Sequence, residues 1–211
     1  MLCQSYIMNF QILLVSVVNY YYGGMIYLYI YGLDLSMSST GIAVYDTKKK
    51  EFVHISSIDT TKILAKNHKD NFDGVRLKKI YNELCAIRDK YEPSFVAIER
   101  GFTLHNTVTQ ILYRVHGVAN LAFADYPQIY YTPKSIKSTI YDGTADKEEI
   151  ANVVEKRTNA EFSNFDESDA CAIALTHAIK EDFIKWDKVI GLTRKQLLKN
   201  GKVKKGKLKD L

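Results

Sequence analysis

The 211-residue chain has only three cysteines, Cys3, Cys85 and Cys171, set far apart and never in a C-x-x-C pair. That spacing excludes a zinc knuckle and a disulfide framework, and it fits a reducing cytoplasm. Prolines also number three and no internal period is visible, so the chain is read as one domain with extensions, not as a repeat array. Lys and Arg are missing before Lys48. The early apolar stretch FQILLVSVVNYYYGG therefore lacks the positive start of a signal peptide. It is also broken by polar residues and shorter than the roughly 20 residues needed to span a bilayer. Neither export nor a membrane anchor is expected. Residues 1–24 are expected to lie upstream of the working start, because Met25 directly precedes a strong strand pattern. After Gly24 no two glycines are adjacent, which removes the further Gly-rich phosphate loops of a two-lobed nucleotide cleft.

What is present is a globular composition, 46% hydrophobic and 25% charged. The net charge of +5 is unevenly placed: from Leu192 to Leu211 eight Lys or Arg stand against one Asp, so the remainder is slightly acidic. Residues 191–211 form a basic tail. Such a tail is either a solvated end or an electrostatic arm for phosphate backbones, which attract cations without reading sequence. The working domain is expected to cover residues 25–190.

Residues 26–34, IYLYIYGLD, are rich in β-branched and aromatic types and end in an acid before the small-residue turn SMSST. GIAVYD and EFVHISSID continue this strand as a meander. From Asp73, apolar Val75, Leu77, Ile80, Leu84 and Ile87 recur at helical spacing up to Pro93. SFVAIER is a short central strand with Glu99 at its carboxyl end. NTVTQILYRVHGVANLAFA is helical, QIYYT is another strand, and Pro133 marks a helix start. ADKEEIANVVEKR and DESDACAIALTHAIKEDFIKW both carry apolar faces. The order βββ-α-β-α-β-α-α gives an α/β class, a mixed five-stranded sheet flanked by helices.

Four acids stand out in this layout. Asp34 and Glu99 end apolar strands and meet if those strands are neighbours. Asp166 and Asp169 are three apart at a helix start and project from one face. Taken singly, each acid is explained as a turn residue, a surface acid or a helix cap. Together they would repel and weaken the fold unless a divalent cation such as Mg²⁺ or Mn²⁺ used them as hard oxygen ligands. Two ions about 4 Å apart would suit in-line hydrolysis of a phosphodiester. His54, His68, His105, His116 and His177 show no ligand spacing with these acids.

GLDLSMSSTGIAV, VAIERGF, YTPKSIKSTIYDGTADKEEI and DESDACAIALTH, in that order, resemble the four motifs of the RuvC-type Holliday junction resolvases, in the divergent form often carried by bacteriophages. The resemblance runs from about residue 27 to residue 180. It implies an RNase H-like fold, with Asp34, Glu99, Asp166 and Asp169 as metal-binding catalytic acids. By the same resemblance Lys147 lies near the scissile phosphate, Lys137 is a second functional lysine and Phe102 is the aromatic set beside the junction's bases. It further implies a cytoplasmic homodimer that nicks opposed strands of a four-way junction, leaving 5′-phosphate and 3′-hydroxyl ends. Leu35 departs from the pattern, standing where many members have proline. A broader fork or flap endonuclease and an RNA-processing hydrolase share the fold. GLDLSMSSTGIAV alone also resembles the first phosphate loop of actin-like ATPases and sugar kinases.

Overall fold

Alternation along the central strands decides what lies on each side of the sheet. The computed structural model describes residues 28–68, 70–101 and 106–187. The extension 1–24, Phe102, His105 and the basic tail fall outside them. Five strands, β1 (Tyr29–Asp34), β2 (Ser39–Asp46), β3 (Glu51–Asp59), β4 (Phe95–Glu99) and β5 (Gln128–Tyr131), form one sheet in the order β3-β2-β1-β4-β5. β1 pairs antiparallel with β2 and parallel with β4, β2 runs antiparallel to β3, and β4 is parallel to β5. A register shift between Val44 and Tyr45 marks a bulge against the edge strand β3.

Helices cover both faces. α1 (Phe72–Lys90) and α2 (Asn106–Ala122) pack on one side, and α3 (Pro133–Ile140), α4 (Lys147–Thr158) and α5 (Phe165–Lys180) on the other. Successive strand residues point to opposite faces. Tyr31, Leu33, Ile42, Val44, Val96 and Ile98 therefore pack with Ile80, Leu84, Val115 and Phe123 of the first side. Ile30, Ala43, Tyr45, Ala97 and Tyr131 pack with Ile136, Ile150, Val154 and the alanines of α5. Covering on both faces explains why β1, β2 and β4 read as continuous apolar runs. The Tyr31 hydroxyl shares its one proton between the carbonyls of Ile87 (2.9 Å) and Tyr91 (2.6 Å), tying the centre of the sheet to the end of α1.

Three helices follow β5, one more than the order read from the sequence. Thr132 caps an eight-residue helix of its own, its Oγ1 accepting from Ser135 N at 3.2 Å, with Pro133 in the first turn. α5 also stops at Lys180 instead of running on to Trp186. Asp182 takes a left-handed conformation (φ 56°), and Trp186 folds back so that its Nε1 donates to the Ile140 carbonyl at 3.0 Å. Among the described residues no helix is long and apolar enough to cross a membrane.

Candidate active site

The same alternation that sorts the core aims two acids. Ile30 and Ala97 face α5, so Asp34 and Glu99, an even number of residues further on, face α5 as well. They lie one step beyond the Leu33 and Ile98 partners of the parallel β1–β4 pair, at the same end of adjacent strands.

α5 brings the third acid. It lies flush on β1 and β2 because both present glycine where it crosses. A Cβ on Gly32 would come 2.0 Å from the Ala170 carbonyl oxygen, and one on Gly41 2.0 Å from that of Asp166. Asn164 caps the helix, its Oδ1 accepting from Glu167 N at 3.0 Å. Glu167 is buried: its carboxylate accepts from Ser163 N (2.7 Å) and Ser57 Oγ (3.1 Å), fastening the start of α5 to edge strand β3.

Asp34, Glu99 and Asp169 line a pocket of about 210 Å³ together with Lys137 and Lys147, over Ile136, Ile150 and Ala172. Asp166 is half-buried one turn earlier and does not line it. The sequence-predicted set thus separates into three pocket acids, two pocket lysines and one acid beside them. A larger cleft, about 490 Å³, lies by the opposite strand ends between Tyr45, Arg157 and Trp186. It has a single carboxylate, Asp182, among three cations, so its chemistry is not that of the acid pocket.

The electrostatics of the pocket are those of carboxylates crowded without enough counter-charge. Burial, then the charges of Asp169 and Glu99, push the Asp34 carboxyl from 3.8 to about 7; Lys147 opposes this, and Asp166 adds the smallest of these effects. Glu99 is also raised, by burial and by Asp169, against the pull of Lys147 and Lys137. Lys147 Nζ donates to Asp169 Oδ2 at 2.6 Å, and Lys137 Nζ to the Ala145 carbonyl at 2.7 Å. Among the described residues no three Asp, Glu, His or Cys side chains form a ready cation cage. The fit to a divalent cation lies in the donors: hard oxygens, two of them raised by burial and by one another.

The turn after Asp34 is held from several sides. Ser36 Oγ donates to Ser39 O (2.7 Å), Thr40 Oγ1 to Ser36 O (2.7 Å), and Arg76 on α1 reaches Met37 O (2.9 Å) and Thr60 Oγ1 (2.8 Å). Leu35, which departs from the proline of the family motif, is buried in the core. Beyond Glu99 the chain passes close over α2, since a Cβ on Gly101 would stand 2.8 Å from Leu112 Cδ2. Arg76, Glu167, Gly32, Gly41 and Gly101 were not singled out from the sequence. None of them carries a local signal, since even Glu167 sits among the first-turn acids of α5.

A mixed sheet in this order, with helices on both faces, is an RNase H-like fold. Residues 30–177 match the family described as "Crossover junction endodeoxyribonuclease RuvC". The chain belongs to that family. The protein of that name from Geobacter metallireducens is 31% identical over 152 residues, 70% of this chain and 90% of its own length. Its namesake from Ehrlichia ruminantium (strain Welgevonden) is 32% identical over 153 residues, 70% of this chain and 94% of that one. The solved structure of T. thermophilus RuvC in complex with Holliday junction substrate shares the fold, with a TM-score of 0.61 at 24% identity over 74% of this chain and 95% of that one.

Proposed function

We propose that the chain is a divalent-metal-dependent endonuclease that resolves four-way DNA junctions by phosphodiester hydrolysis, leaving 5′-phosphate and 3′-hydroxyl ends. One observation carries this reading. Strand alternation, β1–β4 register and the close seat of α5 converge Asp34, Glu99 and Asp169 on a pocket walled by two lysines. The family name of the relatives supports the junction as substrate.

Asp34, Glu99 and Asp169 would hold Mg²⁺ or Mn²⁺, with Asp166 completing the set for a second ion. Bound metal supplies an activated water and neutralises charge on the departing 3′ oxygen. The chain's own groups position the scissile phosphate around that chemistry. The Lys147 ammonium is near enough to the acids to meet a phosphate oxygen at the pocket mouth. Lys137, fixed by the Ala145 carbonyl, adds positive charge beside Glu99. The apolar floor of Ile136, Ile150 and Ala172 limits water access, which strengthens each of these interactions. Phe102 follows the Glu99 strand closely and is assigned to stacking on an unpaired base. A homodimer would place two such pockets about a two-fold axis, matching a junction with its own approximate two-fold symmetry. Residues 25–190 are assigned to the nuclease domain and 191–211 to a phosphate-binding arm.

The test is cleavage of a labelled four-way junction, a fork, a flap, linear duplex and an RNA hairpin with Mg²⁺ or Mn²⁺. Junction cleavage should predominate, and Asp34→Asn and Asp169→Asn should abolish it while keeping the wild-type circular dichroism. Wild-type cleavage by either variant would remove the carboxylate mechanism. Equal cutting of all branched DNAs, with duplex spared, would make the protein a general branch endonuclease.

A further inference from the structure

Lys147 is the first residue of α4, placed there by a capping box in which Asp146 and Glu149 satisfy each other's backbone amides (2.9 Å each). A cation in the first turn opposes the helix dipole, whereas the neighbouring Glu148 and Glu149 suit it. Helix formation therefore gives no reason for a lysine at this position. Its ion pair supplies one. The side chain is 60% exposed while Asp169 is 17% exposed, so the ammonium reaches in from solvent to cover the carboxylate at 2.6 Å.

The pair is also felt across the pocket. Burial works against the Lys147 charge, yet the hydrogen bond and charge of Asp169, then Asp34 and Asp166, outweigh it and hold the ammonium above its ordinary range. The same positive charge opposes the upward shifts of Asp34 and Glu99. Of the two pocket lysines, Lys147 acts on Asp34, Glu99 and Asp169, whereas Lys137 acts on Glu99.

We propose that Lys147 is the resident counter-ion of the metal-free site: its ammonium holds Asp169 Oδ2 until a divalent cation takes that oxygen, and the exchange frees the ammonium for a phosphate oxygen. The inference rests on the metal-dependent reading above and assigns a switch within it. Lysine suits the exchange, because its ammonium is a compact charge on a flexible four-carbon stem. A pair whose ammonium is open to solvent is weak enough to be displaced. Metal arrival and phosphate capture are thereby linked, and the linkage acts in both directions.

The test is Mn²⁺ binding without DNA, read as loss of the free-ion electron paramagnetic resonance signal at fixed pH and ionic strength. Lys147→Met and Lys147→Gln should bind Mn²⁺ roughly fivefold more tightly than the wild type, the scale of a partly exposed ion pair and a removed repulsion. Lys147→Arg should not tighten binding. In the wild type, reductive methylation of Lys147 should rise on adding Mg²⁺, with exposed Lys78 on α1 unchanged. A neutral variant that binds Mn²⁺ no more tightly than the wild type, or Lys147 labelling indifferent to Mg²⁺, overturns the switch and leaves the nuclease reading standing. If wild type and variants alike bind no Mn²⁺, the metal-dependent reading falls and the switch with it.

Discussion

A methyl group at Gly32 of β1 would stand 2.0 Å from the carbonyl oxygen of Ala170 in α5, closer than any relaxed packing allows. The backbone on both sides is fixed, by β-pairing and by the helix, so neither can yield cheaply. Gly32→Ala is expected to lower stability by about 1–3 kcal/mol or more through overpacking, and to displace Asp169 from Asp34. Gly74→Ala, in α1 with nothing within 4 Å of the added carbon, should stabilise by about 0.5–1 kcal/mol as an ordinary helical replacement. Urea midpoints for the two variants check the contrast. A Gly32→Ala protein as stable as the wild type would show that α5 does not sit flush on the sheet.

Much of this site is legible in the sequence, for a physical reason. A strand buried on both faces is a continuous apolar run, so a carboxylate at its end, such as Asp34 or Glu99, is conspicuous. Adjacency of β1 and β4 and the aim of both acids then follow from sheet connectivity and a period of two. What is not legible is set by partners distant in the chain. Gly32 and Gly41 look like ordinary strand glycines until α5 lies over them. Asp166 and Asp169 are indistinguishable by spacing, yet only Asp169 lines the pocket. Glu167 resembles one more first-turn acid, although its oxygens are taken by Ser57 and Ser163. The extra helix at Pro133 is signalled by its cap, but its end at Tyr141 is not.

Asp34 sets a pH dependence of stability in the metal-free protein. Its carboxyl moves from 3.8 to about 7 on folding, chiefly by burial and by Asp169. The unfolded chain therefore ionises first, and the fold loses stability as pH rises from about 4 through about 7. The cost above that window is at most on the order of 4 kcal/mol. Asp34→Asn should accordingly raise the melting temperature without metal at pH 8 and change it little at pH 4. Added Mg²⁺ should raise the wild-type melting temperature at pH 8 more than that of the variant. Melting curves at the two pH values decide this, and a variant less stable than the wild type at pH 8 would contradict it.

His177 acts in the opposite direction. It is buried in α5 against Phe95, with its Nδ1 2.8 Å from the Tyr131 hydroxyl, and burial lowers it from 6.5 to about 4. As pH falls, the unfolded chain takes up the proton first, so the stability present above about pH 6.5 drains away toward pH 4. At pH 5 the loss from this one group is about 2 kcal/mol. His177→Gln keeps a polar group for Tyr131 without a titrating nitrogen. It should be less stable than the wild type at pH 7, and the difference should narrow at pH 5. A gap between the two proteins that stays constant from pH 7 to pH 5, measured by urea unfolding, would show that His177 is not held neutral by burial.

The basic tail tests how the protein engages DNA beyond the pocket. Residues 192–211 carry eight Lys or Arg and one Asp, and cations bound to phosphates release counter-ions irrespective of base sequence or branching. A chain shortened before Arg194 should bind both four-way junction and linear duplex more weakly. The slope of log affinity against log salt should become shallower by about 0.9 for each phosphate that the shortened chain leaves unneutralised. The ratio of junction to duplex affinity should stay the same, because groups that touch only the phosphate backbone position the protein without reading shape. Loss of junction binding with duplex binding intact would instead make the tail a reader of the branch, moving part of the substrate selectivity out of the folded domain.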